Sequence, residues 1–429
     1  MEPMSRRSVV AMLVALVALG IVVIATSGPG DGAGDVATTT TTTANTPTTN
    51  TPTTTTIAKT PTTTTTTLPP DVVAVEALLH DMDDREVALQ LVVLGAAGAD
   101  PAVSIAETLG APCIGGLFVT KNLANWTPAE SLDAATAAIT EIATVTAGCD
   151  APPFITTDAE PGTRVLKVPI EPLPGPATLE AGFGDDPRGS ALRREAEAFA
   201  DQLASAGVHV NLGVIVDVDV DNGFYMDRQG RSFGDDPFVV DGLGRAIADG
   251  HCRAGVAPTL KHFPNQGSTV EDPHREDSFS VNGFDTWLEV GAVPYLESTS
   301  PLVMTGHIRY DGVDGGLPAS LSREITTGWL RSVLGYDGVV ITDDLHTMRG
   351  VAQFAPAARG VAAIAAGADL ALYVDVEHGV DVVDAITDRM AADADFNEQA
   401  RASAARVLRL KGALGLLSDI DPDWFELCG

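Results

Sequence analysis

Short apolar runs rich in Val, Ile and Leu recur along this chain, and most pairs of them leave room for a helix in between. They occupy residues 89–95, 114–120, 153–157, 208–216, 257–262, 301–308, 337–342 and 368–375. Runs that are nearly continuous, rather than alternating, are what strands covered on both faces require. Residues 190–206, 241–254 and 323–334 carry apolar positions at helical spacing. Thr127-Pro128-Ala129-Glu130 offers an N-cap, a proline at the first helical position and a glutamate to complete a capping box. Eight buried strands alternating with helices predict an α/β chain folded as one (β/α)8 barrel of the TIM type. An open doubly wound sheet is less well supported, because no GxGxxG follows the first strand.

The first seventy residues break this rhythm. Arg6 and Arg7 precede an apolar run, Val9–Ala25, so residues 1–27 read as an export signal or a short membrane anchor. Residues 28–70 are mostly Thr and Pro, a composition that buries too little apolar surface to fold and suits an extended linker. The barrel is therefore expected over 71–429, outside the cytoplasmic membrane, secreted or anchored, with membrane contact only through the N-terminal segment. The net charge of −32 argues against nucleic acid or anionic lipid as a partner of that domain. Cys113, Cys149, Cys252 and Cys428 show no CxxC spacing, which speaks against a cysteine zinc site. Outside the cytosol they can form one or two disulfides, with three connectivities if all four pair.

Barrel chemistry sits at the C-terminal ends of the strands. Ionisable residues collect there: Asp158 and Glu160 after the third run, Asp217 after the fourth, Lys261 and His262 at the fifth, His307 at the sixth, Asp343 and Asp344 after the seventh. Asp272 and His274 follow the fifth run on a polar loop. A carboxylate at one strand end and an Asp-His pair near another supply a nucleophile and a proton donor, the minimum for splitting an acetal.

The same segments resemble glycoside hydrolase family 3, in its single-domain bacterial β-N-acetylglucosaminidase branch, from about Met82 to about Leu417. KHFPNQGSTVEDPH is similar to the family's K-H-F-P-G-H-G-D-T-x-x-D-S-H, and DGVVITDDLHTM to D-G-V-I-x-S-D-D-L-x-M. IGGLFVTKNL, TTDAEPGTRV and GRSFGDDP resemble three further motifs. The resemblance implies a retaining hydrolase that releases terminal β-linked N-acetylglucosamine, with Asp343 as nucleophile and His274, paired with Asp272, as acid/base. It further implies that Asp158, Arg231, Lys261 and His262 hold the sugar's hydroxyls. No metal or organic cofactor is implied, the partner is a carbohydrate, and a monomer is expected. Read from the residues alone, Arg231 has an alternative as an ion-pair partner of Asp235 or Asp236. Two other functions stand beside the main one: a catalytically weak glycan-binding barrel of the envelope, and a β-glucosidase-like hydrolase, whose branch takes its acid/base from a second domain. The chain departs from the family pattern at Asn265-Gln266-Gly267, at Pro273, and by an apparent insertion in Asp158-Ala159-Glu160-Pro161-Gly162-Thr163-Arg164.

Overall fold

Each of the eight apolar runs coincides with a strand, β5 ending one residue beyond its run: β1 Val92–Gly95, β2 Gly116–Phe118, β3 Phe154–Thr157, β4 Val210–Ile215, β5 Ala257–Phe263, β6 Leu302–Thr305, β7 Val339–Thr342 and β8 Ala371–Tyr373. A computed structural model describes residues 69–95, 101–110, 112–119, 139–140, 142–162, 170–183, 189–418, 420–422 and 426–428. The expected signal or anchor, nearly all of the Thr/Pro linker and the helix start at Thr127 lie outside the described residues.

All strand pairs are parallel, in the order β7-β6-β5-β4-β3-β2-β1-β8. The ring closes between β7 and β8, where Ile341 bridges Leu370 in parallel and Leu345 N donates to Leu372 O at 2.8 Å. The period of two along each strand sorts its side chains. Val93, Phe154, Val210, Leu302, Met304, Val339, Ile341 and Leu372 form one buried cluster, the filled barrel interior. Their neighbours Val92, Leu94, Ile155, Val303, Val340 and Ala371 join the larger cluster formed with the surrounding helices.

The helices at 190–206 and 241–254 are present as Ser190–Ser205 and Pro237–Arg253. The second begins earlier than its apolar spacing suggests because Asp236 caps it, accepting from Phe238 N at 2.9 Å, and Pro237 starts it. Residues 324–333 differ in kind: they wind as a π-type helix whose Trp329 stacks on Trp287 at 4.5 Å and meets Tyr310 edge-on. The C-terminal helix Ala394–Ala413 closes the bottom of the barrel. There buried Lys411 donates to Gln90 Oε1 at 2.5 Å and to the carbonyls of Ile114 and Ala151. All four cysteines pair, as Cys113–Cys149 and Cys252–Cys428. Among the described residues no helix is long and apolar enough to cross a membrane.

Candidate active site

The strand ends of β3, β4, β5 and β7 bring five of the seven predicted site residues into two networks. Lys261, near the end of β5, is buried, so its ammonium must find oxygen partners or lose its proton. It lies 2.7 Å from Asp158 Oδ1 and 2.8 Å from Glu160 Oε1. Glu160 in turn receives Arg231 in a two-pronged pair, Nη2 to Oε1 at 2.7 Å and Nε to Oε2 at 2.9 Å. Burial penalises every charge here, and for Glu160 and Lys261 the neighbouring charges outweigh that penalty. Glu160 is held below the ordinary glutamate range by Lys261 and Arg231, and Lys261 is held above the ordinary lysine range by Asp158 and Glu160. Asp158 is pushed upward, chiefly by burial. A set of carboxylates and cations fixed in this way is suited to hydroxyl groups, because it offers acceptors and donors side by side.

The second network centres on Asp217, which is fully buried after β4. Its Oδ2 accepts from His262 Nδ1 at 2.7 Å, and its Oδ1 accepts from the backbone N–H of Gln266 at 2.5 Å and of His262 at 3.2 Å. This fixes the imidazole so that Nε2 faces Asp343 Oδ2 at 4.0 Å. Gly267 is required nearby because a Cβ there would stand 2.1 Å from the Val218 carbonyl, where the β4 and β5 loops touch. Asn265 braces the same contact, accepting from Val218 N and donating to Val218 O at 2.9 Å each.

Asp343 directly follows β7, and its N–H donates to Thr305 O of β6 at 2.8 Å. Its Oδ1 accepts from Asp344 N at 2.8 Å. Burial would raise its pKa, but the imidazoles of His262, His307 and His274 and the Asp344 N–H bring it down to about 2. The group is therefore a carboxylate at neutral pH, with Oδ2 available to a reacting carbon. Asp344 has a bracing role: it accepts from His346 N, Thr347 N and Val374 N, tying the loop after β7 to β8. His307 is also buried, between Ser320 Oγ at 2.8 Å and Asp344 O at 3.0 Å.

The loop after β5 carries the Asp-His pair. His274 Nδ1 lies 2.9 Å from Asp272 Oδ1, which also accepts from His274 N at 3.0 Å. Just over half of the His274 side chain is exposed, 55%, so the pair stands at the rim rather than in the inner networks.

The sequence profile of the glycosyl hydrolase family 3 N-terminal domain matches residues 83–410. The chain belongs to glycosyl hydrolase family 3. Among its relatives, a protein described as an uncharacterized secreted glycosyl hydrolase from Arthroderma benhamiae is 33% identical over 226 residues, covering 52% of this chain and 63% of that one. A β-hexosaminidase from Bordetella parapertussis is 34% identical over 245 residues, covering 56% of this chain and 65% of the relative. In both cases the match spans less than two thirds of the relative's own length. The crystal structure of a β-N-acetylhexosaminidase from Beutenbergia cavernae superposes with a TM-score of 0.69 at 27% identity, covering 77% of this chain and 99% of that structure.

Three residues of this site were given no part in it from the sequence. Glu160 is the hub that joins Lys261 to Arg231, and it displaces Asp235 and Asp236 as the partner of Arg231. Its place in the DAEPG segment was the available signal. Asp217, visible at a strand end, orients His262. Tyr225 had no signal at all: its hydroxyl reaches His274 Nδ1 at 3.2 Å from a helix after β4, a contact made only by the fold.

Proposed function

We propose that this protein is a retaining glycoside hydrolase that releases terminal β-linked N-acetylglucosamine from a cell-wall or chitin-type glycan. The observation that carries the reading is the ionised Asp343 at the end of β7, braced by Asp344 N and facing His262, with an Asp-His pair on the neighbouring loop. In the first step Asp343 Oδ2 attacks the anomeric carbon, the glycosidic C–O bond breaks, and the leaving oxygen takes a proton from His274 Nε2. In the second step His274, now neutral, accepts a proton from water. The water oxygen attacks the anomeric carbon and Asp343 leaves as carboxylate. Asp272 on Nδ1 leaves Nε2 to carry the transferred proton in both steps. Asp158, Arg231, Lys261 and His262 hold the sugar, with Glu160 joining Arg231 to Lys261 and Lys261 bonded in turn to Asp158. The hydrolase needs no metal in this scheme.

The same reading takes residues 1–27 as an export signal or anchor, 28–70 as a spacer and 71–429 as a monomeric working domain outside the cytoplasmic membrane. Its supports are the basic-then-apolar N-terminus and a relative described as secreted. The test of activity is side-by-side turnover of aryl β-N-acetylglucosaminide and aryl β-glucoside. Preference for the first is expected. Preference for the glucoside would transfer the chain to the glucosidase reading, and turnover of neither would favour a glycan-binding barrel.

A further inference from the structure

Beside the sugar networks, three side chains that take no part in them converge. His346 lies three residues beyond Asp343 on the loop after β7, and Glu377 and His378 lie on the turn after β8. One ligand atom from each falls within 4.8 Å of the others, and the two imidazole rings are 5.2 Å apart. Among the described residues no other three His, Cys, Asp or Glu side chains gather in this way. The backbone of His346 is fixed, its N–H donating to Asp344 Oδ1 at 2.8 Å and its carbonyl accepting from Arg359 at 3.0 Å. Its Nδ1 is nevertheless buried with no hydrogen-bond partner. A buried ring nitrogen left unpaired costs free energy, and coordination through Nδ1 would remove that cost.

We propose that His346, Glu377 and His378 bind a divalent transition-metal cation of the zinc type, clasping the loop that carries Asp343 to the end of β8. Two imidazoles and one carboxylate are a donor set that three-ligand zinc sites use, with water in the fourth position. Magnesium and calcium prefer all-oxygen shells and are disfavoured by the two nitrogens. Zinc bonds of about 2.0–2.1 Å place tetrahedral donors roughly 3.4 Å apart, so donors up to 4.8 Å apart must close by at most roughly 1.4 Å. Glu377 is exposed and His378 half-buried, so side-chain rotation suffices. The clasp would act on a joint that already exists, since Asp344 Oδ1 accepts from both His346 N and Val374 N. The site stands on its own geometry and does not depend on the hydrolase reading.

The test is calorimetric titration of zinc chloride into chelator-stripped protein, with thermal unfolding followed in parallel. One saturable site and a rise in Tm are expected. His378→Ala and Glu377→Gln should each weaken zinc binding by at least about tenfold, because removing even an outer-shell group typically costs that much. The double variant His346→Ala/His378→Ala should abolish it. His274→Ala, a change on the Asp-His loop, should leave it unaltered. If the double variant does not fold, the two single changes on the exposed turn decide. Absence of saturable binding in the wild type, undiminished binding in His378→Ala, or loss of binding in His274→Ala would overturn the proposal.

Discussion

Replacing Lys261 with Met tests whether the inner network is held together as described. The change keeps volume and chain length but removes the ammonium that Asp158 and Glu160 share at 2.7 and 2.8 Å. Breaking a buried ion pair by deleting one partner costs about 3–5 kcal/mol, because the remaining charge stays buried. Two features place this case at the low end. Glu160 keeps both prongs of Arg231, and the Asp158 side chain is 26% exposed, so water reaches it. The expected loss is about 3 kcal/mol at pH 7. With a urea m-value of about 3 kcal/mol/M for a chain of this size, the midpoint falls by about 1 M at unchanged slope. The pH dependence has a definite sign. The Lys261 pKa is raised in the folded state, so its contribution is fully present below the unfolded lysine value and is lost only as pH rises through the higher folded one. Neutral pH lies inside that window. Without Lys261, which lowers it, the Asp158 pKa moves further above its ordinary range. The deficit is then greatest at alkaline pH and shrinks as pH falls through the Asp158 transition. Urea melts by tryptophan fluorescence at pH 5, 7 and 9 would show this. An unmoved midpoint at pH 7, or a deficit that grows toward acid, would refute the described network.

Other perturbations probe separate parts of the account. Since Asp343 has a pKa of about 2, cleavage of an aryl glycoside whose leaving group needs no proton should not lose its nucleophile above about pH 3. His262→Asn removes the largest of the charges lowering that pKa and should move the acid limb upward, which a pH–rate profile reads directly. The Asp343 contribution to stability has the depressed-carboxylate sign: present above its unfolded value, lost as pH falls through about 2. His274→Ala should lose far less rate on aryl glycosides with good leaving groups than on disaccharides, and equal losses would place the proton donor elsewhere. Removing Cys113–Cys149, which spans 36 residues, with a double Ala variant should cost roughly 2–4 kcal/mol in the same urea melts.

The barrel was legible in the sequence because strands buried on both faces leave continuous apolar runs. Their ends were not. The runs at 208–216 and 301–308 outlast β4 and β6, since Val216 and Ile308 remain buried after the ladder has stopped. The ionisable residues were legible as strand-end positions, but which would pair was not. Arg231 bonds to Glu160, 71 residues away in sequence, while its near neighbour Asp236 is occupied as a helix cap. Cysteine pairing was likewise open until the fold joined Cys252 to Cys428 across 176 residues. Patterning could not show the π-type winding at 324–333, because one face remains apolar in either helix and the aromatic layer around Trp329 exists only in the packed molecule.

The central claim, that Asp343 forms the bond to the sugar, is tested most directly by Asp343→Ala with and without azide on an aryl β-N-acetylglucosaminide. The cavity left by the carboxylate should admit the small anion, which attacks the anomeric carbon from the face Asp343 occupied. Without azide the rate should fall on the order of 10³-fold or more, with the fold intact by circular dichroism. With azide, release of the aryl alcohol should recover in part and the product should be the α-glycosyl azide, inverted relative to the substrate. Wild-type-like turnover by the variant, or a β-glycosyl azide as product, would contradict the account.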